Sequence, residues 1–124
     1  MESILTSIKK LLGIEEEYEQ FDPDIIMHIN TVFRLLKRMG VGPTKGFSIQ
    51  DDTAVWTDFV DDNTDESLDD VKTYIYLKVK MIFDPPTNSA HMEAMKENIK
   101  ELEWTLHFGA DAMADCEEVE IQNG

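Results

Sequence analysis

The sequence predicts a mostly α fold: a small four-helix domain with a protruding irregular or short-hairpin arm and an extended C-terminal tail. Three observations predict it. Apolar residues recur at helical spacing in four segments, near 3–12, 23–39, 66–83 and 89–108. Glycine and proline punctuate the stretches between them, at Gly13, at Gly40 to Gly46, and at Pro85 and Pro86. Beyond Gly109 the chain turns acidic and loses its helical stripe. A length of 124 residues suits one core. The expected division is a helical domain over 1–109, with its arm at 41–63, and an acidic tail over 110–124.

The first helix places Ile4, Leu5, Ile8, Leu11 and Leu12 on one stripe, and Gly13 stops it. "EEEYEQ" follows as a charged connector or a helical extension. The second helix is the plainest. Asp22 is a candidate N-cap and Pro23 suits the first helical position. Ile25, Ile29, Val32, Leu36 and Met39 form the stripe. Asp22 and Asp24 at the start and Arg34, Lys37 and Arg38 at the end match the helix dipole, so these basic residues need no ligand to explain them. Gly42, Pro43 and Gly46 then make 41–63 an irregular arm with one hairpin or one short helix, and Trp56 and Phe59 would sit side by side on a helical turn. An arm this long in a small domain usually has a function.

"VKTYIYLKVKMIF", Val71 to Phe83, alternates like a strand and also fits a helix. Ser67 and Asp70 form a capping-box-like start, and thirteen residues is long for one strand, so the helical reading is preferred while the strand stays open. Leu68, Val71, Ile75, Val79, Ile82 and Phe83 make one stripe; Tyr74, Leu77 and Met81 make a second on the far side. A helix apolar on two faces is covered on both, and a neighbouring subunit is a natural second cover. Trp56, Phe59, Tyr74, Leu77 and Met81 are therefore the candidate subunit-interface residues. Pro85 and Pro86 end the helix at an elbow, and Thr87, Asn88 or Ser89 caps the next one. There Met92, Met95, Ile99, Leu102 and Leu106 face back toward the preceding helix. Trp104 and Phe108 lie off that stripe and are expected on the first helix, with a partner patch as the less favoured reading.

Charge narrows the function. The chain has 26 acidic and 11 basic residues, a formal net charge of −15. This opposes binding along a phosphate backbone or to an anionic membrane surface. No apolar run is long enough to span a bilayer, and the opening residues do not read as a signal peptide. Six acids fall in 15–24, nine in 51–70 and five in 110–124, with no Lys or Arg in these windows. They are solvated connectors and helix starts, or they face something to be kept off, such as passing DNA. The lone Cys116 excludes an intrachain disulfide, suits a reducing compartment and sits among acids that disfavour its thiolate.

No catalytic, cofactor-binding or metal-binding set is expected. His28, His91 and His107 share no ligand spacing. Asp61, Asn63 and Asp65 mimic the start of a calcium loop, but Glu66 replaces the turn glycine and Lys72 the bidentate glutamate.

The ordered series "FDPDIIMHIN", "RMGVGP", "GFSI", "VWTDF", "VKTYIYLKVKMIFDPP" and "ELEW" resembles small head–tail connector (adaptor, or head-completion) proteins of tailed bacteriophages, over roughly Met1 to Phe108. The resemblance implies a virion protein made in the host cytoplasm, without catalysis. It implies a dodecameric ring beneath the portal protein that extends the DNA channel, lets DNA pass without specific binding, and gives a platform for a downstream stopper or tail-completion protein. In that setting Met113, Val119 and Ile121 in the tail are candidate portal-docking residues, because the tail cannot bury enough surface alone. The alternative is an acidic DNA mimic that occupies a host protein's nucleic-acid site. Such a mimic calls for acids in rows along helices, whereas here they gather in connectors, helix starts and the tail.

Overall fold

A computed structural model describes residues 3–43, 45–59 and 66–123, with side chains for 3–43, 45–59 and 68–107. Its helices are α1 (Ile4–Leu12), α2 (Asp22–Arg38), α3 (Trp56–Phe59), α4 (Glu66–Phe83) and α5 (Ser89–Asn123). Among the described residues there is no β-strand, only a bridge between Ser3 and Val55. The fold is mostly helical, and 71–83 lies in a helix.

Local chemistry sets most of the ends. Ser3 Oγ accepts from the Thr6 amide at 3.2 Å, and Gly13, at φ 83°, lets the chain leave α1 in the left-handed region. Asn88 Oδ1 accepts from the amides of Ala90 and His91 at 2.8 and 3.3 Å and so caps α5. At α2 the expected cap is displaced. The helix begins at Asp22, with Phe21 at the cap position and no side-chain cap bond. The Asp22 carboxylate is engaged elsewhere, 2.9 Å from the ammonium of Lys9. The capping role expected of Ser67 falls on a side chain outside the described ones.

α4 is the central element, packed by α1 and α2 on one side and by α5 on the other. Leu68, Val71, Ile75 and Val79 meet Ile4, Ile8, Ile25, Ile29, Val32 and Leu36 in the core. The second stripe is covered too. Tyr74 and Leu77 are buried, and the Tyr74 hydroxyl donates to Glu103 on α5 at 2.8 Å. The proline elbow thus brings the chain's own α5 onto the face for which a neighbour was expected. Ile82, placed on the first stripe by periodicity, is exposed near the end of α4. On α5, Ile99 and Leu106 are buried, and Met95 and Leu102 pack against the core. Trp104, expected on the first helix, is instead 66 % exposed, because the face of α5 that meets α4 is the Met95–Ile99–Leu102–Leu106 stripe. The bounds of α5 run from Ser89 to Asn123; Phe108 and the tail side chains lie outside the described set.

The arm is irregular, as expected, and its described part lies down on the helices. Asn30 on α2 grips Ile49: its Nδ2 donates to the Ile49 carbonyl at 2.9 Å and its Oδ1 accepts from the Ile49 amide at 2.7 Å. Phe33, Phe47 and Phe59 form a triangle with centroid separations of 4.9 to 5.5 Å, an arrangement worth more than its buried area alone. Gly42, at φ 91°, passes so close to the Phe59 ring that a Cβ would sit 2.6 Å from it. Trp56 is fully buried; its indole N–H donates to Ser7 Oγ on α1 at 3.0 Å, and Lys72 on α4 lies 5.3 Å from its ring centroid. The arm closes by adding Val55 beside Ser3 and accepting the Ile4 amide at Ala54 O, 2.9 Å.

Candidate assembly surfaces

The expected interface residues separate into two groups. Trp56, Phe59, Tyr74 and Leu77 are buried within this chain, and Met81 is half-buried beside them. Met113, Val119 and Ile121 fall on side chains outside the described residues. Among the described residues the exposed large apolar side chains are Leu11, Tyr18, Phe21, Met27, Ile82 and Trp104. Tyr18 and Phe21 meet at a tilt with centroids 5.4 Å apart, and Phe21 meets Phe83 edge-on at 5.2 Å, so an aromatic strip links the α1–α2 connector to the end of α4.

That connector is shaped by Lys9, a residue whose role periodicity did not reveal. Lys9 is 2 % exposed. Its ammonium donates to the carbonyls of Glu16 at 2.9 Å and Tyr18 at 2.7 Å and faces Asp22 Oδ1 at 2.9 Å. Asp22 Oδ1 is itself buried and has no aligned hydrogen bond, so the ion-pair contact with Lys9 is what compensates it. Two of the ammonium's three protons thus go to backbone carbonyls, and its charge faces the Asp22 carboxylate. The cue in the sequence was a lysine one residue after Ile8 on the buried stripe of α1.

The connector and the arm converge at the N-terminal end of α2. There Leu5, Pro23 and Ile26 floor a groove of about 570 Å³, and Glu19, Asp22, Gln50, Asp51 and Asp52 wall it. Thr53 holds Asp51 through its hydroxyl and its amide, which lowers the Asp51 pKa below the usual carboxylate value. The other end of α2 is basic: Arg34, Lys37 and Arg38 are exposed there. A second groove, of about 500 Å³, follows the elbow between Leu77, Pro85, Pro86, His91 and Met95.

Chemistry of the catalytic kind is sparse. Burial, then the bond to Glu103, pushes the Tyr74 phenol well above its ordinary pKa, which keeps it a donor in the α4–α5 seam. Among the described residues no group of His, Cys, Asp or Glu could hold a metal ion, and no helix is long and apolar enough to cross a membrane. The calcium-like stretch at 61–65 lies outside the described residues.

Comparison with known proteins gives one assignment. Neither curated proteins nor solved structures yield a match. Residues 4–113 match the family model described as phage connector protein, a span that holds α1 to α4 and most of α5. The chain belongs to the phage connector protein family.

Proposed function

We propose that this protein is a head–tail connector with a structural and non-catalytic role in the virion. Copies form a ring, with twelve as the expected number, beneath the portal protein. The ring extends the DNA channel and gives a docking platform for a stopper or tail-completion protein. The family match over 4–113 carries this reading. The net charge of −15 supports it, since a channel of that sign lets DNA pass without adhering. The acidic C-terminal segment, through Met113, Val119 and Ile121, is the proposed portal contact.

A density map of the neck of the intact particle tests the reading. It should show a closed ring of this chain between portal and tail. A chain that is absent from particles and stays monomeric or dimeric in solution would overturn it in favour of the DNA-mimic alternative. Truncation after Gly109 tests the docking contact separately: the shortened chain should retain the core helices and lose attachment to the portal.

A further inference from the structure

We propose that the acidic groove at the N-terminal end of α2 receives the basic C-terminal end of α2 from a second copy of this chain, so that copies join head to tail. The proposal rests on the ring reading above and names the contact that builds it.

The acceptor surface combines an apolar floor with a charged wall. Asn30 grips Ile49 and so steers the arm back along α2, which lays Asp51 and Asp52 beside Glu19 over Leu5, Pro23 and Ile26. Long basic side chains suit such a surface. Their methylene stems lie on apolar atoms while their charged heads reach the carboxylates.

The donor surface is the opposite end of the same helix. Arg34, Lys37 and Arg38 are exposed, and none of them has a carboxylate within ion-pair distance among the described residues. Arg34 makes one side-chain bond, donating to Thr31 Oγ1 at 3.1 Å. Three unpaired cations side by side are notable in a chain with 26 acidic residues against 11 basic ones. The dipole accounts for their position on the helix and leaves their charge without a carboxylate partner among the described residues.

Geometry prevents the two surfaces from meeting within one chain. They sit toward opposite ends of a 17-residue helix, about 12 to 24 Å apart along its axis at 1.5 Å per residue. Between copies they are complementary. Subunits of net charge −15 repel one another, so a contact that sets opposite charges face to face is favoured over one that does not. A contact between two different surfaces of identical chains is heterologous, and it closes into a ring when its rotation divides the circle.

Charge reversal tests this under the conditions in which the wild-type ring forms, free or on portal-bearing particles. One variant carries Arg34→Glu with Lys37→Glu; the other carries Glu19→Lys with Asp52→Lys. All four positions are exposed, so circular dichroism should show the wild-type helix content, with the melt of the Arg34→Glu, Lys37→Glu variant lowered only by the small cost of acids at a helix C-terminus. Native mass spectrometry should show each variant alone at least tenfold depleted in oligomer. An equal mixture of the two should recover assembly, because one has two acidic ends and the other two basic ends. The chain bearing all four changes should recover it as well. Unchanged assembly of either variant alone, or failure of the mixture to recover, would overturn the contact while the ring reading stands. If the basic-end variant is lost from particles and no second-site reversal recovers it, the portal is the partner of that end and the proposal falls. Wild type that forms no ring in either setting would remove the ring reading itself.

Discussion

Two connectors link the helices on the arm side of this protein, and they are held down by opposite means. The α1–α2 connector, residues 13–21, is mostly polar and acidic, and a buried ammonium is its main anchor through backbone carbonyls, with Ile14 and Phe21 adding apolar contacts. The arm, over residues 46–59, is fixed by apolar side chains: Phe47, Ile49, Trp56 and Phe59 all pack against the core. In the first, one electrostatic centre organises several residues. In the second, stabilisation is spread over many contacts that are individually weak. A connector of the first kind fails all at once when its centre is removed, while the second loses stability in proportion to what is removed.

Four substitutions break or sharpen that contrast, in descending order of effect. Phe59→Ala empties one corner of the aromatic triangle and should destabilise by about 4 kcal/mol, as large aromatic deletions from cores do, read as a fall in the urea midpoint with little change in slope. Lys9→Met leaves Asp22, which is 21 % exposed, without its counter-charge and frees the carbonyls of Glu16 and Tyr18. The expected loss is about 3 kcal/mol, with faster amide exchange across 14–21 and little change across 46–59. A variant in which both segments loosen equally would show that the two connectors are not independent. Gly42→Ala forces a Cβ against the Phe59 ring at a positive φ, and about 2 to 3 kcal/mol of destabilisation should follow. Wild-type stability in that variant would mean the arm shifts freely, against the packing described. Asn30→Ala removes both bonds to Ile49 while leaving the aromatic triangle, so the loss should be only about 1 to 2 kcal/mol. A larger loss would show that the arm depends on this one polar clamp, as the other connector depends on Lys9.

Several features were determined by the sequence alone. The i, i+3, i+4 stripes of α1, α2, α4 and α5, the proline elbow and the glycine stop at Gly13 are local signals, because each is decided by residues within a turn or two of one another. The order of motifs also sufficed to indicate the family. Partnership was decided only by the tertiary structure. Periodicity showed that Tyr74 and Leu77 lie on an apolar face but could not say whose surface covers it, since burial by α5 and burial by a neighbour leave the same pattern. Asp22 reads locally as a cap and Lys9 as an ordinary helix cation. Their pairing depends on how α1 approaches the start of α2, which no local rule encodes. Trp104 shows the converse: a large aromatic side chain signals burial by composition, yet the seam of α5 that meets α4 leaves it outside. The gathering of Glu19, Asp51 and Asp52 into one groove, with Arg34, Lys37 and Arg38 a helix length away, likewise follows from the path of the arm along α2. Charge has no periodicity to read, and only the fold brings distant carboxylates together.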